Sequence, residues 1–480
     1  MKKVLVVSFA GLMILGTGQL LCAHTELFAT EADITGMWQG TLNIQGAKLR
    51  LLIKVKKTDE GTYSATMDSI DQGASDIPLS SMELEGSTVR FTHTTLTVEY
   101  EGQLSNDGQS ISGTFTQAGN SLPLDFERVE NAPEINRPQE PKKPYPYAEE
   151  EVSYENTAGG IKLAGTLTTP SGQGPFPAVI LISGSGAQDR NETVFNHKPF
   201  WVLSDYLTRR NIAVLRVDDR GVGGSTGSVS ESTSEDFAQD VLAGVDFLKE
   251  RNEINANRIG LIGHSEGGII APLVASQSKD VAFIVLMAGT GLTGEEILYL
   301  QGALISRAEG TSEEDIQKNL EDQKRIFAVL KKEEDNEAVI KALRKLYEED
   351  MAKLSEEERN KSKVTDAQWK SQMNQVTSKW FRFFLTYDPK TALKKVNCPV
   401  LAINGELDLQ VPPKENLSAI KQALQEGGNA DFTLKELPKL NHLFQTAETG
   451  AVSEYVKIEE TISPSAMEVI GDWVALKTKK

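Results

Sequence analysis

Two stretches of the chain have the spacing Gly-x-Ser-x-Gly: Gly263-His264-Ser265-Glu266-Gly267 and Gly223-Gly224-Ser225-Thr226-Gly227. A serine in such a turn can attack a carbonyl carbon when a strand runs straight into it and a helix leaves straight from it. The flanking glycines then give the turn room. Only the first stretch has that setting. Residues 258–262 read as a strand, and Ile269, Ile270, Leu273 and Val274 give the following segment an apolar helical stripe. Ser225 instead follows Asp-Asp-Arg-Gly-Val-Gly and precedes a polar run over 226–236, with the next helical pattern (Phe237, Val241, Val245, Leu248) starting only after Ser234. Ser265 is therefore the candidate nucleophile, Gly263 and Gly267 its elbow glycines, and 221–227 a flexible loop.

A serine hydroxyl is a weak nucleophile at its own pKa and needs a base held by a third group. Downstream, 400–404 reads as a strand that ends in Gly405-Glu406-Leu407-Asp408. Asp408, after the glycine turn, is the expected acid, with Glu406 as the alternative. Of the five histidines, His24 is near the N-terminus, His93 sits on an alternating strand as a packed core residue, His197 is in a loop, and His264 points away from Ser265. His442, just past the strand-like 432–437, remains as the base.

The order Ser265, Asp408, His442, with "GHSEGG" at the elbow, "INGELDLQVP" around the acid and "LNHLF" at the base, resembles the α/β-hydrolase superfamily. Within it, the chain is similar to secreted bacterial esterases related to serine aminopeptidases, over about 149 to 480. The resemblance implies hydrolysis of a carboxylic ester through an acyl-enzyme, with a small-molecule ester as substrate and no cofactor. It also implies an oxyanion hole made of the backbone N–H of Glu266 and one from the loop "ISGSGAQDRN", where Ser185 holds the matching position. Many relatives carry His-Gly where this chain has Ser183-Gly184. Asp189, Arg190, Asp218, Asp219 and Arg220 are expected to buttress that loop as ion pairs. The alternatives are an exported aminopeptidase or amidase using the same triad, and a non-catalytic binding protein on a hydrolase scaffold. Fold resemblance does not select a substrate.

These residues need a sheet to hold them. Continuous apolar runs at 178–182, 212–215, 259–262, 282–286 and 400–403 read as strands buried on both faces, alternating with amphipathic helices. The expected fold class is α/β, an α/β-hydrolase domain over 149–480. Between the fourth and fifth strands, about 293–390 is rich in Glu and Lys with helical spacing at Ile316, Leu320, Phe327 and Leu330. Thr311-x-x-Glu314 and Ser355-x-x-Glu358 read as capping boxes. This insertion is expected to be a helical cap, with Trp380, Phe381, Phe383 and Phe384 as candidate walls of the substrate pocket or, equally, as ordinary helix packing.

Residues 30–130 alternate apolar and polar over short runs, as an all-β sandwich or small barrel would. Contact of this domain with carbohydrate through Trp38 or Tyr63 is one reading of its role. Pro133, Pro138, Pro141, Pro144 and Pro146 mark a stiff linker over 131–148. At the start, Lys2 and Lys3, an apolar run to Leu15 and a small Ala23 read as a signal peptide over 1–23. Export to a bacterial periplasm or medium follows, with no membrane span left after cleavage. The formal charge of −18 and the lack of an arginine-rich run argue against nucleic-acid binding. No Cys/His cluster suggests a metal.

Overall fold

The computed structural model describes residues 33–479 apart from 45–46, 71–73, 95, 118–119 and 133–135. The expected signal peptide, His24 and Pro133 lie outside the described residues. The described residues form two compact units. One runs to Asn136 and takes in Val194–Asn196, and the other comprises Arg137–Thr193 and the chain from His197 onward.

The first unit contains β1 (Gly36–Ile44), β2 (Ala47–Lys57), β3 (Tyr63–Ser69), β4 (Ala74–Pro78), β5 (Ser81–Glu85), β6 (Thr88–His93), β7 (Val98–Leu104), β8 (Ser110–Gln117) and β9 (Asn120–Val129). They pair antiparallel in one curled sheet of order β4-β3-β2-β1-β9-β8-β7-β6-β5, closer to a barrel than to two stacked layers. The period-2 alternation has its expected cause: in β7, Val98, Tyr100 and Leu104 are buried while Glu99, Glu101 and Gln103 face out. Trp38 is only 1% exposed and donates its indole N–H to the Ile34 carbonyl (2.8 Å), so it belongs to the core and offers no surface to a ligand. His93 is half-buried, and its Nδ1 accepts the Leu96 N–H (3.1 Å); it closes a turn and is not packed in the core.

The second unit begins with the hairpin β10 (Tyr147–Asn156) and β11 (Ile161–Pro170), followed by β12 (Phe176–Ile182), α1 (Pro199–Thr208), β13 (Ala213–Val217), α2 (Ser234–Lys249), β14 (Ile254–His264), α3 (Gly267–Gln277) and β15 (Val281–Met287). Six helices come next: α4 (Gly294–Ala308), α5 (Glu313–Lys332), α6 (Asn336–Ala352), α7 (Glu356–Ser362), α8 (Asp366–Val376) and α9 (Lys379–Thr386). The chain then returns through α10 (Lys390–Leu393), β16 (Val400–Gly405), α11 (Pro413–Glu426), β17 (Phe432–Leu437) and α12 (Pro464–Lys477). The sheet order is β10-β11-β13-β12-β14-β15-β16-β17, antiparallel at the β10 edge and parallel from β13 to β17. This is the α/β-hydrolase fold.

Both faces of the sheet are covered, which explains the unbroken apolar runs. Ala178, Ile180 and Ile182 of β12 join a core with α2, α3 and α11, while Val179 and Leu181 join another with α1 and α12. The proline-rich stretch is less free than a linker. From Arg137 it belongs to this unit, where Arg137 donates to the Ile458 carbonyl (3.0 Å) and Gln139 to that of Ile462 (2.7 Å).

The inserted helices have a core of their own around Phe327, Leu330, Val339, Leu343 and Leu385. Their starts are fixed by side-chain caps. Ser355 and Glu358 form the expected capping box, but α5 begins one residue later than the Thr311 reading, with Ser312 accepting the Asp315 N–H (3.1 Å).

Candidate active site

Ser265 stands at the carboxyl end of β14 with φ = 53°, in the left-handed region that a side-chain-bearing residue adopts only when its surroundings force it. Its N–H is held by the Met287 carbonyl of β15 (2.8 Å). The elbow glycines are steric necessities. A Cβ on Gly263 would lie 2.0 Å from the Gly267 carbonyl oxygen, and one on Gly267 would lie 2.2 Å from that of Ile182. Gly268, outside the motif, has the same role, since its Cβ would meet the Gly289 Cα at 2.4 Å and keep α3 from closing on the chain after β15.

Asp408 follows β16 and His442 follows β17. Asp408 is 2% exposed, and its Oδ1 accepts the N–H groups of Gln410 (2.9 Å) and Val411 (2.8 Å), which leaves Oδ2 for His442 Nδ1 at 2.9 Å. With Nδ1–H donated to that carboxylate, Nε2 of His442 is the nitrogen free to take a proton. Glu406, the alternative acid, is exposed and accepts the Lys439 N–H (2.9 Å) instead. The turn carrying His442 is braced by Asn441, whose side chain accepts from Leu443 N (3.0 Å) and Gln445 N (2.9 Å). The second Gly-x-Ser-x-Gly is a structural loop. Ser225 is buried, donating to the Asp218 carbonyl (2.8 Å) and accepting the Ala164 N–H (2.9 Å).

Around the expected oxyanion donors, the N–H of Gly184 is taken by Glu192 Oε1 (2.6 Å). The N–H groups of Ser185 and Glu266 bond to no acceptor among the described residues. Gly184 lies close against the nucleophile, a Cβ placed there being 3.3 Å from Ser265 Cβ. The buttressing ion pairs are redistributed. Arg190 pairs with Asp218 (2.7 Å) and Arg220 with Asp240, while Asp189 accepts the Thr193 N–H (2.8 Å) within its own turn. Among the described residues, Asp219 has no ion-pair partner. It accepts from Ser183 Oγ (2.8 Å) and Gln188 N (2.9 Å), and burial pushes its pKa up to about 8.

The aromatic residues of α9 separate into distinct roles. Trp380 donates its indole N–H to both carboxylate oxygens of Glu266 (2.8 and 2.9 Å) and stacks on Phe384, ring centroids 5.3 Å apart. Phe381, a candidate pocket wall or packing residue, is 1% exposed inside the cap's own core against Phe327, because it is rotated about 100° from Trp380 around the helix. The Glu266 carboxylate also accepts Ser234 Oγ (2.6 Å), and burial raises its pKa. One side chain therefore ties the nucleophile's neighbour to the cap and to the start of α2.

Sequence reasoning missed two buried groups. Glu192 Oε1 also meets His264 Nδ1 (2.9 Å), and His264 Nε2 meets the His442 carbonyl (3.0 Å). His197 is fully buried between Thr461 Oγ1 (3.0 Å) and the Tyr455 carbonyl (2.9 Å), and burial lowers its pKa to about 4. Both contacts join residues far apart in sequence, and no local motif announces them. Among the described residues, no group of three or more His, Cys, Asp or Glu is arranged to hold a metal ion.

Geometry of this kind, a strained serine at a strand end with an Asp–His pair on the following strands, suits nucleophilic acyl transfer. Comparison with known proteins is consistent in class. Esterase EstD of Thermotoga maritima is 26% identical over 320 residues, 65% of each chain, so the chain spans just under two thirds of that relative's length. The uncharacterized protein YfhR of Escherichia coli K12 is 30% identical over 127 residues, covering 26% of this chain and 41% of that one. Among solved structures, an esterase of Pyrococcus furiosus matches with 17% identity and a TM-score of 0.40 over 64% of this chain and 91% of its own. The profile of the X-Pro dipeptidyl-peptidase (S15) family matches residues 159–437, more than half of the chain. The chain thus has the α/β-hydrolase fold and belongs to the X-Pro dipeptidyl-peptidase (S15) family.

Proposed function

We propose that the protein is a serine hydrolase that cleaves carboxylic esters through an acyl-enzyme intermediate. Ser265 Oγ attacks the ester carbonyl while His442 Nε2 takes its proton. The tetrahedral oxyanion is held by the N–H groups of Ser185 and Glu266. Collapse expels the alcohol, which leaves with the proton from His442, and water activated by the same imidazole then releases the acid. Asp408 keeps the imidazole in the tautomer this requires. The observation that carries the reading is the 2.9 Å Asp408–His442 contact, together with the left-handed backbone at Ser265. The likeness to EstD, named an esterase, supports the ester over the amide.

A second reading is favoured by the family description: hydrolysis of a peptide bond after an Xaa-Pro unit, using the same residues. The two separate on a substrate panel. Activated esters of graded acyl length, run beside Xaa-Pro arylamides with wild type and Ser265→Ala, should show ester turnover exceeding arylamide turnover and lost in the variant. Arylamide turnover above ester turnover would reverse the preference.

A further inference from the structure

Behind the Ser265, Asp408 and His442 side chains runs a second set of charged groups. Glu192 is 3% exposed and sits in a left-handed backbone conformation (φ 52°), which turns its carboxylate inward beneath the oxyanion loop. One oxygen, Oε1, accepts the Gly184 N–H (2.6 Å) and contacts His264 Nδ1 (2.9 Å). The other ring nitrogen of His264, Nε2, contacts the main-chain carbonyl of His442 at 3.0 Å. The imidazoles of His264 and His442 lie 4.9 Å apart between centroids.

The chemistry of these partners fixes the protonation of His264. A carboxylate and a carbonyl only accept, whereas a neutral imidazole has one N–H. In the neutral form one ring nitrogen would present its lone pair to an oxygen lone pair inside a dry core, which costs about 1–3 kcal/mol. Only the imidazolium donates at both ends.

The titratable groups facing His264 are Glu192, Asp408 and His442. Pro199, Phe200 and Leu203 of α1, Met287 of β15, and Leu443 and Phe444 after β17 line a small apolar cavity beside it. Burial alone would push its pKa down. The Glu192 carboxylate, followed by the His442 carbonyl and Asp408, outweighs burial and raises it.

We propose that Glu192 and His264 are positioning residues for the hydrolytic reaction: an ion pair that ties the oxyanion loop, the strand end bearing Ser265 and the turn bearing His442 into one rigid unit. The proposal rests on the Ser265–His442–Asp408 reading above. The Gly184 end of the pair keeps the loop that offers Ser185 in register with the nucleophile, and the His442 end keeps the base against Asp408. Loss of the His264 proton, as pH rises through its raised pKa, releases one of the two ends.

The test combines nitrogen-15 NMR of the full chain, labelled at histidine, with steady-state kinetics. Wild type and Ser265→Ala at pH 7.5 should both contain a histidine protonated on both nitrogens, absent from His264→Gln and converted to a neutral tautomer by the near-isosteric Glu192→Gln. Glu192→Gln should lower kcat about 10- to 100-fold with little change in KM, the cost of a catalytic group displaced by about an ångström. It should also move the alkaline limb of the kcat profile to lower pH. A neutral His264 in wild type at pH 7.5 overturns the proposal, and so does a folded Glu192→Gln enzyme with unchanged kcat and pH profile. The NMR state is read without turnover and in Ser265→Ala. Failure of the serine-hydrolase reading, seen as turnover surviving Ser265→Ala, is thereby distinguishable from failure of this one.

Discussion

The residues of the site are held by acceptors and donors that leave each one a single task. Asp408 spends one oxygen on two backbone N–H groups and the other on His442, so it is ordered before any substrate arrives. His197 shows the opposite use of a histidine. Its pKa is lowered to about 4 by burial, so it is neutral in the fold but takes a proton near pH 6.5 when the chain unfolds. The sign follows: the unfolded state binds the extra proton, and stability falls as pH drops from about 6.5 to about 4, by up to about 3 kcal/mol. His197→Asn should flatten that part of the pH–stability curve measured by urea unfolding. An unchanged slope would show that His197 is not the group responsible. Ser265, Asp408 and His442 were readable because each sits in a local motif in a fixed chain order. Glu192 was not, because what gives it meaning is His264, 72 residues away, and only the folded sheet brings them together.

Among the elements, the elbow forms because β14 and α3 approach their neighbours at glycines, and Trp380 of α9 ties the cap to it. Trp380 reaches Glu266 from the cap, so the residue proposed to offer an oxyanion N–H also anchors the helix α9. Trp380→Phe keeps the stack on Phe384 but removes the N–H, leaving a buried carboxylate short of a donor. It should cost about 1–3 kcal/mol in chemical denaturation, and an unchanged midpoint would contradict the anchoring role. The parallel strands were legible from their apolar runs. The β10 strand was not, because "YAEEEVSYEN" lies at the sheet edge with residues 148–151 all exposed, three of them glutamates, and alternates only from Val152 on. Phe381 could not be told from Trp380 by type, since both are apolar aromatics one residue apart. Only the rotation of α9 decides which faces the elbow.

Over the whole chain, two units divide the work unevenly. The antiparallel sheet up to Asn136 keeps its aromatic residues Trp38, Phe91, Tyr100 and Phe126 inside, whereas the unit from Arg137 holds all the groups assigned to chemistry. The proposed reacting groups of that unit follow the general rule for open parallel sheets and lie beyond the carboxyl ends of the strands: Ser265 after β14, Asp408 after β16, His442 after β17. This architecture was legible because the central strands β12 to β16 are buried on both faces, while the substrate has no comparable signature. The central claim is that Ser265 becomes acylated. Mass spectrometry of the intact protein after reaction with an aryl fluorophosphonate, followed by peptide mapping, tests it most directly. One adduct per chain is expected, located on Ser265, absent from Ser265→Ala and slowed by about 1,000-fold or more in His442→Ala. An adduct on another residue, or labelling of Ser265→Ala at the wild-type rate, would contradict it.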